Sequence, residues 1–155
     1  MLLKTKAALP LLLTCLSLTA CGGGNGAPEA AQGPISEERV TAFKSMMPEF
    51  SGMGKMVKGD ETYNVETFKT YAATFAQNAR KPFDHFADDK QGNGDALPVI
   101  WQKQAQFNTE RDNFFAAVDA LNAQAKNGKL EDIKVAYDKV GASCKSCHDS
   151  FRRPK

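Results

Sequence analysis

Leu130, Ile133, Tyr137, Val140, Cys144, Cys147 and Phe151 recur at alternating steps of three and four. That period lays one apolar stripe down a helix face. Glu131, Asp132, Lys134, Lys139 and Lys145 take the other faces. Two cysteines therefore sit inside a buried stripe, and a histidine follows at once, as C-K-S-C-H. On a helix Cys144, Cys147 and His148 stand at i, i+3 and i+4, on neighbouring positions of one face. A chain that buries this helix must accommodate two thiols and an imidazole at one end of its core.

Three more segments carry the same period. In 36–58 the stripe is Val40, Phe43, Met47, Phe50, Met53 and Val57, with Ser36 as expected N-cap and Glu37 and Glu38 in the first turn. In 65–80 it is Val65, Phe68, Ala72, Phe75 and Ala79, capped by Asn64 and followed by Pro82. In 102–126 it is Phe107, Phe114, Val118, Leu121 and Ala125, with Asn127-Gly128 as the stop. The joins are short except 83–99, which reads as a long polar loop around D-D-K-Q-G-N-G-D. No repeat or strand alternation is visible. The expected fold class is all-α, an antiparallel four-helix bundle. Pro48 falls inside the first helix, where an interior proline costs about 3 kcal/mol. A kink or interruption is expected near Met47, and Gly52 and Gly54 weaken the same helix.

The N-terminus reads as an export signal. Lys4 and Lys6 precede a short apolar run, which ends Leu18-Thr19-Ala20-Cys21. This resembles a bacterial lipobox, which makes Cys21 the lipidated first residue of the mature chain; a conventional cleavage nearby is the alternative. G-G-G-N-G-A-P-E-A-A-Q-G-P after Cys21 suits a flexible tether. The domains expected are a signal at 1–20, a lipidated cysteine and tether at 21–35 and a four-helix-bundle domain at 36–155. Loss of residues 1–20 leaves 18 basic against 18 acidic residues, so nothing points to nucleic acid. With Cys15 removed and Cys21 lipidated, only Cys144 and Cys147 remain for the domain. The implied location is periplasmic, tethered to a membrane through lipid alone. Gly22, rather than aspartate, after Cys21 favours the outer membrane.

Three chemistries bring thiols and imidazole together. A structural zinc site wants four ligands, usually as two pairs, and here there is one pair; the other histidine, His85, borders the polar loop and reads as a solvated surface residue. A dithiol exchange centre wants a strand leading into a helix that starts at the first cysteine, whereas this pair lies near a helix end. C-x-x-C-H is the haem c attachment pattern. Its thiols add to two vinyl groups on one edge of the macrocycle, and the adjacent imidazole ligates iron. Such maturation takes place after export, so the signal segment and the motif agree on compartment.

V-G-A-S-C-K-S-C-H-D-S-F-R at 140–152 closely resembles the C-terminal helix of cytochrome c prime, the class II c-type cytochromes. Arg39, the Phe50 and Met53 pair with V-K-G at 57–59, and P-V-I-W at 98–101 extend the resemblance over about 36–153. The resemblance implies a bundle, commonly a homodimer, with one haem c per chain on Cys144, Cys147 and His148 and an iron open to nitric oxide and carbon monoxide. It implies that Phe43 is the distal wall, that Arg152 lies beside the proximal pocket, and that Arg39, Met47 and Trp101 neighbour the haem.

The sixth iron position decides function. Phenylalanine cannot ligate iron, so Phe43 points to an apolar distal side that binds nitric oxide and offers dioxygen no hydrogen bond. Met46 and Met47, one turn on, keep an alternative open: a low-spin electron carrier with a methionine ligand and an unknown redox partner. No general acid or base is placed for turnover, so a binding protein rather than an enzyme is expected.

Overall fold

The computed structural model describes residues 33–154 except 88 and 90–92. The signal segment, Cys15, Cys21 and the tether as far as residue 32 lie outside the described residues. The elements are α1 (Pro34–Ser45), α2 (Met47–Lys58), α3 (Val65–Asn78), a 3-10 turn (Lys81–His85), α4 (Val99–Gln102), α5 (Gln104–Asn127) and α6 (Leu130–Phe151). The α2, α3, α5 and α6 helices form an antiparallel four-helix bundle, in which α2 packs on α3 and α6, and α5 packs on the same two. α1 instead packs chiefly on the 3-10 turn.

The N-terminus of α1 differs from the expectation. Gly33, not Ser36, is the N-cap, and Pro34 opens the helix inside the stretch read as tether. Proline suits that position because its missing N–H has no helical partner there. Ser36 sits a turn in, buried, and its hydroxyl accepts the Gly33 N–H at 2.9 Å.

The expected interruption falls at Met46, which ends α1 and caps α2 with φ −93° and ψ −11°. Pro48 then lies in the first turn of α2, where proline is tolerated. Gly52 and Gly54 have a packing role beyond low helix propensity. A Cβ on Gly52 would lie 2.5 Å from Cε2 of Tyr71 on α3, and one on Gly54 would collide with the Tyr137 hydroxyl on α6. Their absence of side chain lets α2 approach both neighbours. Tyr137 then stacks on Phe50 at 4.4 Å and donates to the Phe50 carbonyl at 3.2 Å.

Asn64 caps α3 as expected, accepting the Thr67 N–H at 2.9 Å. Gly128 stops α5 in the left-handed region at φ 72°. The 83–99 connection is less irregular than its composition suggests. Lys81–His85, with Pro82 second, forms the 3-10 turn, and Val99–Gln102 forms a short helix. Beside the end of α6, Ala96 and Arg152 form an isolated antiparallel bridge; the Leu97 N–H donates to the Phe151 carbonyl at 3.0 Å.

Two apolar clusters result. The main one joins Met53, Phe68, Phe75, Val118, Leu121, Ile133 and Val140 across the bundle. A smaller one, Ala96, Ile100, Phe107 and Phe151, closes the end where the cysteines lie.

Candidate functional site

Cys144 and Cys147 lie one turn apart on α6, both free thiols and both half-buried. Cys144 packs against the main cluster and Cys147 against the smaller one. Phe83 packs against both, so the thiols border an aromatic seam. The Phe83 ring lies 5.0 Å from Phe115, 5.9 Å from Phe114 and 5.9 Å from Phe86. Phe43 of α1 meets Phe83 edge-on at 5.9 Å and Phe86 at 6.5 Å. Phe107 of α5 joins them to the end of α6 through Phe151 at 5.4 Å. Edge-to-face contacts of this kind are favourable at these separations.

Burial pushes the Cys144 thiol up. It pushes Cys147 to about 11, with smaller contributions from the negative fields of Glu110 on α5 and of Cys144. Both are therefore protonated thiols at neutral pH. Dithiol exchange requires the reverse, a thiol whose pKa is depressed. A second set of zinc ligands is also missing: among the described residues no three His, Cys, Asp or Glu side chains are grouped to hold a metal ion.

The donor set fits a covalently held haem. Two half-buried thiols share one helix face, Cys147 packs on the same small cluster as Phe83, Phe86 and Trp101, and the exposed His148 follows on the same turn of α6. The Arg152 N–H donates to the His148 carbonyl at 3.1 Å, ending the helix one turn later.

The other residues singled out in the sequence divide into three groups. Phe43 and Trp101 belong to the aromatic assembly; the Trp101 indole N–H donates to the Phe86 carbonyl at 2.7 Å. Arg39 and Arg152 stand at its edges. Arg39 is buried at 4% exposure with its guanidinium 4.8 Å from the Phe86 ring centre, and Arg152 pairs with Asp95 at 2.9 Å. Met47 is not brought into the site. Its side chain is 44% exposed, whereas Met46 is 5% exposed in the main cluster. Consecutive helical positions differ by about 100°, and the break at Met46 turns that residue inward and Met47 out. His85 is set apart too, with Nδ1 3.3 Å from a Glu38 carboxylate oxygen.

Phe83 and Phe86 are the site residues that the sequence reading passed over, because they fall in a polar connection. Their signal is K-P-F-D-H-F: in a 3-10 turn, positions three apart eclipse, so both rings share a face. Asp89, the partner of Arg39, carries no local signal.

The sequence model of the family described as Cytochrome C' matches residues 35–152. A cytochrome c' of Alcaligenes xylosoxydans xylosoxydans is 33% identical over 117 residues, covering 76% of this chain and 91% of that protein. A solved nitric oxide complex of a cytochrome c prime variant from Alcaligenes xylosoxidans superposes with a TM-score of 0.75 at 32% identity, covering 78% of this chain and 94% of that one. A carbon monoxide-bound variant from the same organism gives 0.74 at 32% identity, covering 77% and 94%. Proteins of this family hold one covalently attached haem c per chain. The matched residues contain both thiols, the histidine and the aromatic seam, and the chain belongs to the cytochrome c' family.

Proposed function

We propose that the chain is a five-coordinate haem c protein that binds nitric oxide, and carbon monoxide, on an apolar distal side. By doing so it contributes to nitric oxide tolerance in the periplasm. The bound haem supplies an iron site for a diatomic gas; the chain supplies the attachment, the axial nitrogen and the walls. Cys144 and Cys147 provide the thioethers and His148 the axial ligand. Arg152, held by Asp95 beside the end of α6, borders the proximal side. The lipid anchor at Cys21, an outer-membrane placement, a homodimer and a periplasmic redox partner complete the reading. Gas binding without turnover is its expected chemistry.

The observation that carries the proposal is the setting of Phe43. Its ring meets those of Phe83 and Phe86, and none of the three side chains has a ligating atom or a hydrogen-bond donor. Two donors beside Phe86 are engaged: the Trp101 indole on the Phe86 carbonyl and the Arg39 guanidinium on Asp89. Such a wall excludes water, gives dioxygen no stabilising hydrogen bond and admits a gas only when Phe43 moves aside. Phe43→Ala is expected to raise the association rate of carbon monoxide with the ferrous protein about tenfold, equivalent to ~1.4 kcal/mol. An unchanged rate would remove Phe43 from the distal wall.

A second reading draws on one observation, the burial of Met46 beside the helix break. In it Met46 is the sixth ligand and the protein is a low-spin electron carrier. Met46→Leu separates the two: it abolishes a low-spin spectrum and leaves a high-spin one unchanged.

A further inference from the structure

We propose that the buried Arg39–Asp89 pair is a latch that positions α1, and with it Phe43, over Phe83 and Phe86. The latch thereby sets how fast a gas reaches the distal face. This inference rests on the gas-binding reading.

Its basis is the unusual way α1 is docked. The buried residues of this helix are Ser36 and Arg39, both polar; its apolar residues are at most half-buried. An apolar stripe therefore does not hold it down. Arg39 does. Its Nη1 donates to Asp89 Oδ2 at 2.9 Å and to the His85 carbonyl at 2.9 Å, and its Nη2 donates to the Asn93 carbonyl at 2.9 Å. Asn93 in turn donates through Nδ2 to the other Asp89 oxygen at 2.7 Å, which orients the carboxylate. The acceptors are the last residue of the 3-10 turn, His85, and two residues of the connection that follows it, Asp89 and Asn93.

Both charges are 4% exposed, so each depends on the other for compensation. A planar guanidinium with three fixed acceptors also defines direction as well as distance. The same group lies over the Phe86 ring, and Phe43 stands four residues later on α1, one turn along the same face. One side chain thus sets the position of the helix that carries Phe43 and of the ring that Phe43 meets. Arg39 is a positioning residue, acting through Phe43 and Phe86.

The test uses Asp89→Asn in the full haem-loaded protein. It keeps the shape of the side chain and removes its charge. Two readouts are taken: carbon monoxide association and dissociation after flash photolysis of the ferrous protein, and hydrogen exchange by mass spectrometry. The latch predicts an association rate raised at least about fivefold with dissociation changed less than about twofold. It also predicts faster exchange in peptides covering 79–87, with peptides covering 114–125 in α5 unchanged. Asn93→Ala removes only the amide that orients Asp89 and is expected to shift both readouts in the same direction by a smaller factor. It carries the test if Asp89→Asn does not accumulate as folded haem protein. In Asp89→Asn an association rate raised less than about fivefold overturns the latch, as does unchanged exchange at 79–87. A wild-type protein that takes up no carbon monoxide contradicts the gas-binding reading instead. Exchange at 79–87 then decides the latch alone.

Discussion

Phe68, Leu121 and Ile133, from three regular helices, fill one end of the bundle at under 2% exposure. At the thiol end the corresponding space is bordered by Phe43, Phe83, Phe86 and Trp101, all only half-buried, and by chain that is neither long helix nor strand. The first end is held by dispersion and apolar burial among helices that satisfy their own backbone groups. The second adds polar ties to its small apolar cluster: Arg39 to Asp89, Arg152 to Asp95, Trp101 to the Phe86 carbonyl, and the Ala96–Arg152 bridge. Rings held by a few directed contacts can be displaced without unfolding the bundle. On the proposed function, stability and ligand access fall at opposite ends.

Replacing both thiols, Cys144→Ser with Cys147→Ser, breaks the comparison most completely. Haem staining after denaturing electrophoresis should disappear, since no thioether remains; retained stain would move the attachment elsewhere. Leu121→Ala acts at the other end. It should lower unfolding free energy by about 3 kcal/mol, within the ~2–5 kcal/mol typical of fully buried leucine, and leave the visible spectrum unchanged. A urea titration followed by circular dichroism and by haem absorbance measures both. Phe43→Ala should reverse that pattern, with association of carbon monoxide about tenfold faster and stability lowered by less than Leu121→Ala. If it destabilises as much, the two ends are not separable in the way described. Gly128→Ala gives the smallest effect. At φ 72° a Cβ costs about 1–2 kcal/mol, read as a lower thermal midpoint with unaltered gas kinetics.

The well-packed end is also the legible one. The stripes through Phe68, Leu121 and Ile133 follow the helical period, and Asn64 and Gly128 mark their ends chemically, so local sequence and tertiary packing agree. The thiols were legible for the same reason: Cys144 and Cys147 lie in the stripe of α6. The distal half was legible only in outline. Pro48 signals a break, but whether Met46 or Met47 turns inward depends on where the break falls. S-E-E at 36–38 looks like a cap, yet Pro34 supplies a better start two residues earlier. Phe86 sits in a polar stretch whose 3-10 geometry has no 3.6-residue period. Asp89 is one of several polar residues there, and only the folded chain brings it to Arg39. The close approaches at Gly52 and Gly54 likewise involve tyrosines from two other helices.

The visible absorption spectrum of the purified holoprotein, ferric and ferrous, before and after nitric oxide, tests the open iron most directly. The account predicts a high-spin ferrous spectrum that converts when the gas is added. A low-spin spectrum with sharp ferrous bands, indifferent to the gas, would contradict it and make Met46 the sixth ligand to examine.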